Sequence, residues 1–476
     1  VTRAWRSLAL CVSVLALAAC AGPEPVAVSF RVVTSPGDDP LSGATTLRLV
    51  LRQAQADVAV IEGPLAAGVP SLPEVPFGSD YRLRVEARDH DVVLARGSSF
   101  PFDVDPGGAS ISPAVLVGRV VQFAAVPAVP LDTRPDATIA AALATRSGAL
   151  LVTELGTVYA YRQHPSAAEP LALEVLAHLP SRDGASWCVL PGARLLGVGG
   201  AVSGATVLDA SGAAIAASVD PALVVHRDGA ALLALPGDAP IALALGGAPA
   251  QGAAPTTAVT QLELLADGGL VVRPVPSAAL ATPVAWAGAA AVQVDVGGVD
   301  EPRVVLAGGV GVLGASGTAA LVDPSGIAPT TEVALGPPLR RSAVVALSSR
   351  LVLVAGGTTD DAIPSAALRV LSADATGLTV VTPSPRPLFA ARQGAAALRL
   401  AEGLVLIVGG TGASGAALST AELVRVDLET FPGVALATGS LPWPQASPRL
   451  VVLGDGTVLS ADASGLAFYV SPVDVQ

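Results

Sequence analysis

The sequence predicts an all-β chain built in two parts. Short runs alternate apolar and polar residues with period two. Clusters drawn from 50 Gly and 40 Pro separate those runs. Beyond residue 118 an apolar run ending in Gly-Gly recurs roughly every fifty residues. Period-two alternation places successive side chains on opposite faces of a strand, and Gly and Pro supply the turns between strands.

Composition bounds what such a chain can do. Of 476 residues, 51% are apolar and 14% charged, which is enough to bury a large core. The net charge of −12 argues against nucleic acid or an anionic lipid surface as partner. All 27 basic residues are arginine, so a Walker-type phosphate loop, a pyridoxal Schiff base and a lysine nucleophile are excluded for want of an amine. With four His and three Cys, multi-ligand zinc sites have few donors to draw on, and no motif implies a cofactor.

The first residues read as an address. Arg3 and Arg6 precede an apolar run from Leu8 to Ala19, shorter than the ~20 residues that span a bilayer. The run ends Leu17-Ala18-Ala19-Cys20, followed by Ala21-Gly22. This resembles the lipobox of bacterial lipoproteins. The resemblance implies a signal peptide over 1–19, cleavage before Cys20, lipid on Cys20, and a short tether over 20–25. The chain would then be lipid-anchored in a cell envelope, periplasmic or surface-exposed, with the membrane as its first partner. Cys11 leaves with the signal, so Cys188 has no internal disulfide partner; its setting, Ser186 to Leu190, is an apolar strand with a buried thiol.

From 26 to 118 the alternation is clean. Tyr81, Leu83, Val85 and Ala87 point one way, and Arg82, Arg84, Glu86 and Arg88 the other. Leu47, Leu49 and Leu51 alternate similarly with Arg48, Val50 and Arg52. About six short strands with turns at this spacing predict a β-sandwich, and the stretch from Tyr81 to Asp105 is similar to immunoglobulin-like or transthyretin-like modules. The arginine stripe reads as a solvated sheet face or, alternatively, as a surface for an anionic ligand. Asp103-Val104-Asp105-Pro106-Gly107 ends a strand in a turn; the further carboxylates of a calcium loop do not follow it.

From 119 to 476 the repeat dominates. Strands end in Gly-Gly at Gly200, Gly247, Gly309, Gly357 and Gly410, and degenerate members near 154 and 461 extend the series to seven. The step from Gly247 to Gly309 is the longest, and the Ala/Gly/Pro-rich stretch from Gly247 to Thr257 suggests an insertion. The best pair of units is Arg341 to Val370 and Arg392 to Val426, each reading strand, turn, strand to Gly-Gly, loop, strand. These units resemble kelch repeats, which implies a β-propeller of about seven blades. Where that family carries aromatic residues after Gly-Gly, this chain has Val424 and Phe431. The last unit lacks a strand, and Gly118 to Ala124 is the segment expected to supply it, closing the ring.

Catalytic motifs are sparse. Gly309 to Gly314 and Gly410 to Gly415 match G-x-G-x-x-G, yet no helix follows to meet a pyrophosphate, so both read as the same repeat turn. Galactose oxidase, a copper enzyme on a kelch-like propeller, uses two His, two Tyr and a Cys; His164, His178, His226, Tyr159, Tyr161, Tyr469 and Cys188 are the atoms at hand, in no motif that matches. Sialidase boxes, G-x-S-x-G and H-E-x-x-H are missing, and Asp38-Asp39 and Asp360-Asp361 sit in turns. Arg340, Arg341 and Arg392 recur ahead of the Gly-Gly strands, where they either line the channel mouth and bind an anion or satisfy carbonyls between blades. The expected role is binding or scaffolding of a protein or glycan, without enzymatic activity. The alternative is a secreted carbohydrate-active enzyme of glycosidase or galactose-oxidase type.

Overall fold

The computed structural model describes residues 26–54, 56–105, 111–127, 134–163, 171–181, 183–201, 204–382, 384–431 and 433–475. The lipobox, Cys20, the tether and His164 lie outside them, as do Pro106 and Gly107. Regular structure among the described residues is strand, apart from three short 3₁₀ turns.

The N-terminal region forms a six-stranded sheet in the order Gly118–Arg119, Val92–Ser98, Gly78–Asp89, Thr46–Gln53, Ala56–Pro64, with Phe102–Val104 also beside Gly78–Asp89. Register follows the apolar pattern: Leu47, Leu49 and Leu51 stand opposite Ala87, Val85 and Leu83, and all six are buried. Two short pairs lie over this apolar face. Val26–Ala27 pairs with Glu74–Val75, and Arg31–Val33 runs parallel to Ala114–Leu116. Val28, Val75 and Val115 from this layer share one core with the sheet.

Seven four-stranded antiparallel sheets follow: sheet I over 139–178, II over 186–218, III over 231–274, IV over 288–334, V over 343–380, VI over 396–437 and VII over 449–469. The fourth strand of VII is Phe123–Ala125, from ahead of sheet I; Phe123 pairs opposite Tyr469, so the end of the expected segment closes the sheet, while its start, Gly118–Arg119, pairs into the N-terminal sheet instead. First strands of neighbouring sheets touch in the order I to VII, and that of VII touches that of I. The fold is all-β and propeller-like. All seven Gly-Gly or degenerate positions fall at the end of a second strand. The long step before Gly309 has another source than the expected insertion: the first hairpin of sheet IV, Gly288–Val296 with Val299–Ala307, has nine-residue strands.

Gly-Gly recurs for a reason visible at five junctions. The second glycine donates its N–H to the carbonyl of a residue just ahead of the next sheet: Gly200 to Arg227 (2.7 Å), Gly247 to Val284 (2.8 Å), Gly309 to Leu339 (2.9 Å), Gly357 to Arg392 (2.8 Å) and Gly410 to Gln445 (2.9 Å). The first glycine of each pair lies under that same carbonyl, where a Cβ would come within 2.6 Å of the oxygen. Both glycines hold a positive φ, from +60° to +101°. A side chain at the first position is excluded by space and by backbone together.

Antiparallel order puts the Gly-Gly loops and the connections between sheets at one face of the ring. The N-terminal sheet sits at the other. Phe100 and Leu116 share a core with Leu453 and Ile139, and Arg146, in the first turn of sheet I, pairs with Asp80 (3.1 Å) and Asp103 (2.7 Å). Asp103 is thus a structural acceptor that also takes the Asp80 N–H.

Gly356→Ala should lower stability by about 2–4 kcal/mol, because the Cβ meets Arg392 O at 2.5 Å. Gly415→Ala, with φ +77° in open space, should cost only about 1 kcal/mol. Chemical denaturation of the two variants checks the difference.

Candidate functional site

Inside the clasps runs a second, tighter ring of backbone. Two residues beyond four of the five clasp carbonyls stand Gly229, Trp286, Arg341 and Gly394, and Gly184 takes the matching place ahead of sheet II; beyond Gln445 the place falls to Ser447, which is not left-handed. All five are left-handed, at φ +76° (Gly184), +64° (Gly229), +56° (Trp286), +55° (Arg341) and +66° (Gly394). Gly229 N–H donates to Gly184 O (3.3 Å), Trp286 N–H to Gly229 O (2.6 Å), and Gly394 N–H to Arg341 O (3.0 Å). Glycine here leaves room for the next sheet's side chain: a Cβ on Gly184 would meet Asp228 Oδ1 at 2.7 Å, and one on Gly229 the Trp286 indole at 2.7 Å. Trp286 and Arg341 hold a conformation that disfavours side chains by about 1 kcal/mol each. Both are exposed, Trp286 by 45%.

Charge of both signs surrounds them. Burial, then Asp183, raises the Glu154 carboxyl above its ordinary range, while Arg449 and Arg341 pull it back. Burial, then Asp183, raises Asp228 as well. Groups from sheets I, II, III, V and VII therefore feel one another across the axis. Arg449 donates to Ala140 O (2.9 Å) of sheet I and acts on both Glu154 and Asp462. This mouth offers an indole face, guanidinium groups and carboxylates that ionise less readily than usual.

Of the arginines singled out in the sequence, Arg341 stands at the mouth. Arg340 is half-buried, and its backbone pairs with Thr358 in both directions (2.9 and 2.8 Å). Arg392 requires correction as a channel-mouth ligand, for its side chain is wholly buried. It donates to Ala390 O (3.2 Å), Gly409 O (2.9 Å), Thr420 O (3.0 Å), Thr420 Oγ1 (3.1 Å) and Glu422 Oε1 (2.6 Å). Five contacts leave nothing for a ligand, so satisfying carbonyls is its role. Sequence reading missed Trp286, Glu154 and Asp228. Aligning the repeats two residues beyond each clasp would have exposed Trp286 and Arg341, with Ser447, at a place that Gly229 and Gly394 fill with glycine.

Among the described residues, which do not include His164, the galactose-oxidase atoms do not come together. His226 is fully buried, with Nδ1 donating to Gly246 O (2.6 Å) and Nε2 accepting from Thr260 Oγ1 (2.8 Å). Tyr161 and Tyr469 are buried in different sheets, and burial pushes the Cys188 thiol up to about 12. His178 is an exposed strand end that touches Thr157 Oγ1 (3.3 Å). Among the described residues no three His, Cys, Asp or Glu stand close enough to hold a metal ion.

Two outcomes follow from these contacts. Arg392→Leu leaves Glu422 buried without its cation and should cost about 3–5 kcal/mol in denaturant, against under about 1 kcal/mol for Arg341→Ala. Burial pushes His226 from 6.5 down to about 4, so its contribution is full above pH 6.5 and is lost as pH falls toward 4. Buried Asp455, pushed from 3.8 up to about 6, works in the opposite sense: its contribution is full below pH 3.8 and lost as pH rises through 6. The two offset each other in the native chain, so the His226 effect is read from a variant. From pH 7 to pH 4 the stability of the native chain relative to His226→Gln should fall by about 3 kcal/mol. Urea melts at the two pH values measure it.

No protein-family model matches the chain, and none of the curated proteins matches it. Solved structures do. One is a fungal alcohol oxidase in complex with copper, at 15% identity and TM-score 0.50, covering 70% of this chain and 74% of that one. Another is YjhT, at 13% identity and TM-score 0.41, covering 64% of this chain and 99% of that one. The oxidase likeness is one of fold, and it corrects the expectation that this chain is not an enzyme. That expectation rested on motifs not found, yet a copper oxidase is built on a similar scaffold.

Proposed function

We propose that this chain is a seven-bladed, kelch-like propeller that binds its ligand at the axial mouth of its Gly-Gly face. An N-terminal sandwich carries the ring at the opposite face. Lipid on Cys20 holds the whole in a bacterial cell envelope. One observation supports the mouth above all: Trp286 and Arg341 occupy left-handed positions that their neighbours give to glycine. Strained side chains that the fold does not need cluster at sites of function. The same face also carries exposed Leu155, Val312, Leu313, Ile363 and Phe389, Leu313 by 99% and Phe389 by 72%. An apolar rim around a polar centre fits a protein or glycan ligand.

Arg341→Gly and Trp286→Gly test the reading. Both should melt at or above the native temperature if strain relief of about 1 kcal/mol outweighs lost packing, and both should lose at least tenfold in affinity. Affinity is measured on the full chain against a panel of glycans and envelope proteins, with ligand mass followed so that turnover is also seen. Unchanged binding by both variants would remove the mouth from consideration. Loss of membrane association in Cys20→Ala, expressed in a bacterium that processes lipoproteins, tests the anchor.

A further inference from the structure

The arginine stripe of the N-terminal sheet is arranged around a buried carboxylate. Glu86 is buried at its centre and pairs across strands with Arg48 on one side and Arg96 on the other. Arg84 and Arg88 flank it along its own strand. Only Arg84 reaches it closely (2.6 Å); Arg48 and Arg88 stand at 3.8 and 3.9 Å. Three guanidinium groups thus share one internal carboxylate with Arg96 beside it, and the Nε atoms of Arg84 and Arg88 are buried without a hydrogen-bond partner among the described residues.

A second carboxylate arrives from the far end of the chain. Both Asp474 oxygens accept from Arg84 Nη1 (3.0 Å each), and Oδ1 also accepts from Arg96 Nη1 (2.9 Å). Arg96 Nη2 donates to Ser471 O. The two partners differ in kind. The side chains of Arg84 and Arg96 are 17% and 12% exposed and fixed on adjacent strands, whereas that of Asp474 is 62% exposed. Paired guanidinium forks hold a carboxylate in one orientation. Here they hold one that is open to water and free to be replaced.

We propose that Arg84 and Arg96, backed by Arg48 and Arg88, form a carboxylate-binding site at the junction of the sheet and the ring, and that Asp474 occupies it in cis. A carboxylate on a small molecule or on an acidic segment of a second protein competes for it. The site lies at the face away from the mouth and stands independently of the role proposed there.

The probe is acetate, against chloride at equal ionic strength, read as melting temperature of the full chain. Asp474→Ala should melt several degrees lower in chloride, and acetate should recover at least half of the loss while leaving the native chain within a degree. Arg96→Ala added to Asp474→Ala should abolish the recovery. Equal responses to acetate and chloride, or an acetate response that survives Arg96→Ala, would overturn the proposal. If Asp474→Ala fails to fold, Asp474→Asn keeps the shape and carries the same comparison. A glutamate-rich peptide in place of acetate distinguishes the source: at least tenfold tighter binding than acetate marks an acidic protein segment, and equal binding a small carboxylate.

Discussion

At five of the seven junctions, from sheet II to sheet VII, a sheet is held to the next by a carbonyl that the following connection presents and the Gly-Gly pair receives. The second glycine gives its N–H, and the first gives the space in which the oxygen sits. Apolar contacts between sheets are non-directional and would tolerate sliding. The clasp fixes how far each sheet is rotated against its neighbour, because a buried carbonyl must be paired and the geometry admits one partner. Aromatic residues make up only 3% of the chain, and the sheets pack on Leu, Val and Ala.

Three junctions show the same local problem solved with different chemistry. At or next to the clasp carbonyl stand His226, Arg392 and Gln445, all buried. His226 and Arg392 reach the carbonyl of the first glycine in their own sheet, Gly246 and Gly409. Gln445 reaches Gly465 O and accepts from Ser460 in sheet VII. Imidazole, guanidinium and amide all donate to a main-chain oxygen beneath the loop. Val284 and Leu339 fill the corresponding place elsewhere with apolar contact alone. The chemistry at this position is thus dictated by local satisfaction of the backbone.

Much of the architecture is legible in the sequence, because strand periodicity and glycine placement are local. Tyr81 to Ala87 announces which face is buried, and the Gly-Gly spacing announces the sheets. The closing strand is legible from a deficit: one unit lacked a strand and one segment lacked a sheet. The site is less legible. Arg392 and Arg341 fall at similar places ahead of adjacent sheets, yet one side chain is sealed and the other open. A shift of two residues along the connection decides which, and only the register of the clasp reveals it. Glu154, Asp183 and Asp228 come from three different sheets, and their approach depends on the whole ring. The nine-residue strands of sheet IV were hidden because Val299 to Ala307 continues a run whose length the Gly-Gly marker does not report.

The pairing of Phe123 with Tyr469 joins segments nearly the full length of the ring apart. Such a contact repays its loop-closure entropy only after every intervening sheet has formed. During synthesis the first six sheets can assemble in order, but the seventh waits on the last strands to emerge. Until then the two end sheets of the growing array leave an apolar face uncovered and Phe123–Ala125 lacks its partner strand, the conditions in which β-proteins associate wrongly. A chain of this design depends for its solubility on finishing quickly, and a truncation of even the last dozen residues would leave a nearly complete molecule with an open seam.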